Sequence, residues 1–389
     1  MSIPVSGQSN ALHGAGLFSL GANIVNLVRQ SQSFSEGLGV EEHDGHVVQV
    51  GLLDYNVSSG TLLHVDSQSF VALGQVQVDV VVLGSLVSLG VGHVDFNADF
   101  FADCSGDSIL APLTGAHYRE GREGKNDFGE PTYVESPDKL HMGMSCLIQG
   151  RETDRPVAFT PPPFALKLTD EDFRHRSPRM HSSYENFWYL ELGGNRDAIG
   201  DTEEVAEELR ALAMGTWDYV KNSGNYDTGN WELEFFGFLP GKRESRRMVG
   251  EYTVTANDLL ENTPFPDAVA FGGWPIDDHY PDGFYHKGHP NTNILPARPY
   301  AVPYRALYSK NVENLFFAGR NISMTHFAMS SMRVMATCAL MGQAVGTAAA
   351  LATRHRLTPH EVFVHRLSDL QTSLMDADCF LPALPRPVG

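Results

Sequence analysis

The clearest pattern of apolar and polar positions lies between residues 315 and 351. Leu315 to Ala318 is a short apolar run stopped by Gly319, the form of a buried strand that ends at a ligand crevice. A polar loop follows, then Ser330 and Ser331, residue types that cap helices. Beyond them Ala336, Thr337, Ala339, Gly342, Ala344, Gly346, Thr347 and Ala348 recur on most faces of a predicted helix. Small residues let that helix approach another backbone or a flat ligand closely. Its N-terminus offers free N–H groups and partial positive charge, suited to an electron-rich ring edge or a phosphate. Val334 to Ala352 carries no charge and has about the length of a membrane span. Gln343, the two glycines and the many alanines and threonines give it little transfer free energy, so a buried helix of an α/β protein is expected.

A second helix is predicted from Thr202 to Ser223. Its first turn is acidic (Glu203, Glu204), its apolar residues fall at 205, 209, 212, 213, 217 and 220, and Gly224 follows its end. Trp231 to Pro240 alternates like a strand. Around these the chain from about 130 to 300 is rich in Pro, Asn, Asp, His and aromatics, which suggests a substrate domain of mixed α and β structure. From Arg354 onward a helical pattern with an acidic end predicts a packing helix without chemistry.

Residues 1–95 stand apart. They hold one basic residue, Arg29, and no Lys or Trp. Runs such as 46–53 and 61–66 are β-prone and separated by Gly and Ser. The composition changes near Val94, which marks a boundary.

The 389 residues suffice for two domains or one elaborated domain. A formal charge of −19 and a pI near 5.2 argue against nucleic acid or an anionic membrane as partner. The four cysteines form no Cys-x-x-Cys pair, so neither an iron–sulfur cluster nor a zinc knuckle is supported. Few cysteines fit a reducing compartment. The first residues lack a basic start and an apolar core, so no signal peptide is expected and cytoplasm is the default.

The run Leu315-Phe-Phe-Ala-Gly-Arg-Asn-Ile-Ser through Arg333-Val-Met-Ala-Thr-Cys-Ala-Leu-Met-Gly-Gln-Ala-Val-Gly resembles the closing motif of the FAD-dependent oxidoreductases with the glutathione-reductase-type fold. It looks closest to the xanthan-lyase-like branch. Asp103-Cys104-Ser105-Gly106-Asp107 resembles that family's Asp-Ala-Thr-Gly-Asp motif, and residues 113–123 resemble its continuation. The resemblance covers roughly residues 96–385. It implies an α/β protein: a flavin-binding, three-layer Rossmann-like domain with an inserted α+β substrate domain. It also implies that Asp103, Gly106, Asp107, Gly319, Arg320, Asn321 and Arg333 lie beside FAD. The reaction implied is hydride transfer between a substrate carbon and flavin N5, with Arg333 and the helix N-terminus near the flavin's N1 edge.

One part of the family pattern is not found. A strand, Gly-x-Gly-x-x-Gly and a helix should hold the pyrophosphate. The nearest candidates are Gly14, Gly16 and Gly21, with the third glycine two places late and no strand before them, and Gly84, Gly90 and Gly92, with the wrong spacing. Two explanations stand: a truncated or misframed N-terminus, or a genuine β-rich replacement domain. Retention of FAD by the chain as written is in doubt on this ground.

Several residues of the middle segment are candidates for chemistry. Arg243 and Arg246, in a motif running from Gly241 to Gly250, offer planar forks for a carboxylate or a sugar acid. The alternative for so dense a charge run is a structural Arg–Glu network. Trp274 offers a face for a sugar or ring, and Asp277, Asp278 and His279 offer acid–base groups. His279, His286 and His289 match no metal-ligand spacing, so no metal is expected. By resemblance His326 is the histidine nearest the flavin, so His326 or His279 is the expected base. Tyr304 either lines the pocket or belongs to the core.

The expected organisation is therefore an atypical β-prone region over 1–95, flavin-domain segments over 96–129 and 301–353, a substrate domain over 130–300 and a packing helix and tail over 354–389. The expected function is an FAD-dependent oxidoreductase acting on a small organic, carbohydrate-like molecule, with an unknown electron acceptor. The alternative is a non-catalytic remnant or ligand-binding protein unable to hold FAD.

Overall fold

A computed structural model describes residues 98–384 apart from 179–183, 238 and 383. It also describes the backbone of the strands Val48–Val50, Leu63–Asp66, Val78–Val82 and Gly92–Phe96. The Gly14–Gly21 candidate for phosphate binding lies outside the described residues.

Strand Phe101–Asp103 is the centre of a three-stranded parallel sheet, with Val48–Val50 on one side and Leu315–Phe317 on the other. All three of its residues are buried, as expected of a parallel strand covered on both faces. The two β-prone runs read in the first quarter of the sequence do contain strands, Val48–Val50 and Leu63–Asp66. The latter joins Val78–Val82 and Gly92–Phe96 in an antiparallel meander. Gly92–Phe96 runs through Val94, where the composition changes.

Among the described residues two large apolar cores form beside a small cluster of Phe265, Ala268 and Ala301. One gathers Phe101, Phe316, Phe317, Met341, Ala344, Ala348 and Leu370 around the parallel sheet and the C-terminal helices. The other gathers Met144, Ile148, Leu209, Trp217, Trp231 and Phe284. The second is organised by helix Thr202–Asn222, which buries Val205, Leu209, Leu212, Ala213, Trp217 and Val220, the apolar stripe read from its period. Strand Trp231–Phe236 pairs with Ile148–Glu152 beside it, with a register shift between Leu233 and Phe235.

The predicted capping serines are corrected by the structure. Ser330 and Ser331 lie buried inside a short helix, His326–Met332, whose N-cap is Thr325. The chain breaks at Arg333 and Val334, and the long helix Met335–His355 starts there. That helix is long and apolar enough to cross a membrane. Here it packs on strand Ala268–Gly272 and on helix Pro359–Asp376, the packing helix expected at the tail, and it buries Met341, Ala344, Val345 and Ala348.

Candidate active site

The turns that end Phe101–Asp103 and Leu315–Phe317 meet side by side. Asp103 accepts from the Ser105 amide and hydroxyl and from the Leu110 amide, which anchors helix Leu110–Thr114. Asn321 donates its amide to Asp103. Asp107 accepts from Arg320 at 2.7 Å, from Lys242 at 2.9 Å and from Ser245 at 2.6 Å. Burial alone would raise the Asp107 pKa, but Arg320 and Lys242 outweigh it and hold the carboxyl down at about 2. Gly106 has φ +76°, and a Cβ there would meet the Arg320 guanidinium at 2.8 Å. The residues Asp103, Gly106, Asp107, Gly319, Arg320 and Asn321 therefore lie together at the ends of two paired strands, while Arg333 meets Asp277. The side chains of Asp103, Asp107 and Arg320, however, are bound to protein partners rather than presented to a ligand.

Strand Ile276–His279, paired antiparallel with Asn291–Ile294, lies against helix His326–Met332 and carries the next layer. Its alternation sends neighbouring aspartates to different partners. Asp278 meets His326 Nε2 at 2.9 Å, and Glu244 meets His326 Nδ1 at 2.8 Å. Arg247 pairs with Glu244 and with Glu123, so the whole cluster is a buried ionic network. Burial would lower the His326 pKa, but Glu244 and Asp278 outweigh it and raise it to about 10. Both ring nitrogens face carboxylates, so both donate. Against the expectation that His326 serves as base, both of its ring nitrogens are taken up by carboxylates and neither is free.

Asp277, one residue earlier, sits with His279 and Arg333. His279 Nε2 lies 3.3 Å from Asp277 Oδ2, and its Nδ1 lies 2.7 Å from Glu191 Oε2. Burial would lower the His279 pKa, but Asp277 and Glu191 raise it. Asp277 also accepts from Arg333 Nη2, at its backbone oxygen at 3.1 Å and at Oδ2 at 3.4 Å. Arg243 binds the Gly143 and Trp188 carbonyls and lies 3.5 Å from Glu191. It is therefore tied into the protein and forms no two-armed clamp with Arg246. Arg246 instead meets Glu120 and the Tyr118 ring. The structural Arg–Glu network weighed for this motif is what Glu244 and Arg247 form.

Trp274 is 52% exposed, and its carbonyl is held by the Ser331 hydroxyl at 2.5 Å. Tyr304 is a core residue whose hydroxyl donates to the Pro359 carbonyl at 3.0 Å. His286 stacks on Tyr280 with ring centroids 4.0 Å apart. Among the described residues no group of three His, Cys, Asp or Glu is placed to hold a metal. Sequence reasoning missed Glu191, Glu123, Lys242 and Ser245. Lys242 and Ser245 lie within the Gly241–Gly250 motif, but nothing in the pattern around Glu191 marks it.

An electron-rich ring system fits the donors left over. Arg333 Nε is buried without a partner among the described residues. It stands directly before Met335–His355, whose N-terminus has no side-chain cap. Burial and the neighbouring Arg243 lower the Arg333 pKa to about 10, which leaves it cationic at neutral pH. Gly319, with φ +107°, adopts a backbone that disfavours other residues at the end of the adjoining strand. A family model described as FAD dependent oxidoreductase matches residues 56–374. It starts 40 residues before the resemblance read from the motifs, within the segment of unusual composition. Comparison with curated proteins and with solved structures finds no match.

Proposed function

The chain belongs to the FAD dependent oxidoreductase family, and from that premise we propose that it carries out redox chemistry on a polar, carbohydrate-like ring beside Asp277 and Trp274. Its cofactor is FAD. The observation that carries the placement is the unpartnered Arg333 Nε at the start of an uncapped helix. Arg333, the first amides of Met335–His355 and the Gly319 turn would hold the flavin ring. When bound, FAD supplies the two-electron chemistry of a hydride transfer.

The protein's own groups do the rest. Arg333 places positive charge where an electron-rich ring edge gains from it. Trp274, with its backbone pinned by Ser331, offers an exposed indole face to an apolar ring surface. Asp277 is less enclosed than Asp278. Burial would raise its pKa, but His279 and Arg333 outweigh it and keep it ionised. Asp277, which also accepts from Asn291 at Oδ1, is thus the carboxylate placed to accept a hydrogen bond from a substrate hydroxyl. His326 keeps the strand that carries Asp277 in place and moves no proton.

Soaking the purified chain with FAD and recording its visible spectrum after gel filtration tests this reading. A retained flavin band is the expected result. A colourless protein would overturn it in favour of a ligand-binding family member without redox activity.

A further inference from the structure

Glu191 lies at the start of the short strand Glu191–Leu192 and is buried. Two glycines make room for it: a Cβ on Gly143 would come 2.8 Å from Glu191 Cγ, and one on Gly283 would come 2.1 Å from its carbonyl oxygen. The stem and the backbone of Glu191 are therefore closely enclosed. Its Oε2 meets His279 Nδ1 at 2.7 Å. Its Oε1 is buried without a hydrogen bond among the described residues, with Arg243 at 3.5 Å. On the far side of the ring, His279 Nε2 faces Asp277, which in turn faces Arg333. Glu191, His279, Asp277 and Arg333 thus form a line of alternating charge that starts beside the second core and ends at the proposed flavin edge. The Trp188 ring packs edge-on against His279, 5.3 Å away.

We propose that Glu191 is a positioning residue: it fixes the orientation and charge of the His279 ring and, through that ring, the orientation of Asp277 in the site. The proposal rests on the placement of the site at Asp277. In the protonated ring Nδ1–H donates to Glu191, and Nε2–H is then the group directed at Asp277. The charged groups facing the ring are Glu191, Asp277 and Arg243, and Arg333 lies beyond Asp277. Removing the Glu191 charge leaves two cations and one anion around His279, and its imidazolium becomes harder to keep.

The test is an NMR titration of the full chain labelled with 15N-histidine, without FAD, with the His279 signals assigned by their loss in His279→Asn. In the wild type the ring should titrate above a free imidazole, and once neutral it should keep its proton on Nδ1. In Glu191→Gln the midpoint should fall by about one to two pH units, while Glu120→Gln, a change at the Arg246 pair, should leave it in place. An unchanged midpoint in Glu191→Gln, or a neutral wild-type ring with its proton on Nε2, would overturn the proposal. The Nδ1 readout needs no change at Glu191, so it decides the matter even if Glu191→Gln does not fold. Because the titration is done without FAD, its failure is distinct from that of the flavin reading. A chain that shows the His279 signature yet takes up no FAD would sink only the latter.

Discussion

Asp277 and Asp278 are adjacent on one strand yet serve different histidines: Asp277 pairs with His279 and Arg333, Asp278 with His326. The two-residue period of the strand puts Asp277 and His279 on one face and turns Asp278 to the other. Asp278 is nearly fully enclosed, whereas Asp277 is less so. The two conservative substitutions should therefore differ. Asp278→Asn breaks a buried pair and should cost roughly 3–5 kcal/mol of stability, whereas Asp277→Asn should cost about 1 kcal/mol or less. Urea unfolding of both variants checks this. Equal losses would show that the two carboxylates share one environment.

The same network sets a pH dependence. His326 is raised to about 10, so its contribution is complete below its ordinary value of about 6.5 and is lost as pH rises towards 10. Glu244 is held at about 2, because His326 and Arg247 outweigh its burial. Its contribution is complete above the ordinary carboxylate range, about 4.5, and is lost as pH falls towards 2. Thermal stability should be greatest between those ordinary values and fall on either side. In His326→Gln the alkaline fall should flatten, which a series of melting curves from pH 6 to 10 would reveal.

Arg333 is expected to matter for the cofactor by its shape as well as by its charge. Arg333→Gln should weaken FAD binding about tenfold or more, the worth of a charge-assisted hydrogen bond. Arg333→Lys should recover only part of that loss, since a lysine lacks the Nε–H of the planar fork. Flavin fluorescence quenching on titration measures both, and identical affinity in Arg333→Gln would remove Arg333 from the flavin site.

At Gly106 the positive φ and the Arg320 guanidinium both oppose a side chain. Gly106→Ala should destabilise the protein by about 1–3 kcal/mol, and it should do so by disturbing the Arg320–Asp107 pair. Calorimetry of Gly106→Ala alone and combined with Asp107→Asn tests the coupling: if the pair is the point of strain, the two losses will not add.

Tyr304→Phe removes a buried hydroxyl from the Pro359 carbonyl and should cost about 1 kcal/mol. Its FAD affinity should match that of the wild type. A selective loss of FAD binding with unchanged stability would return Tyr304 to the pocket.

Periodicity alone decided the local elements. The apolar positions of Thr202–Asn222, the short run before Gly319 and the small-residue helix after it were legible because each is set by neighbours within a few residues. The motifs at Asp103–Asp107 and Gly319–Asn321 were read from their resemblance to the FAD-dependent oxidoreductases, and they meet because their strands pair. The family match over residues 56–374 accords with the resemblance those motifs carry.

Tertiary structure decided what each side chain does. Helix capping moved from Ser330 and Ser331 to Thr325 because the chain breaks at Arg333, and no local period announces such a break. His326 reads by resemblance as an expected base beside the flavin; only its pairing with Glu244 and Asp278, 82 and 48 residues away, raises its pKa to about 10 and occupies both ring nitrogens. Glu191 reaches His279 across 88 residues, with Gly143 packed close against its side-chain stem. Charge state follows from burial and from partners distant in the chain, and neither is written in the order of residues around the group itself.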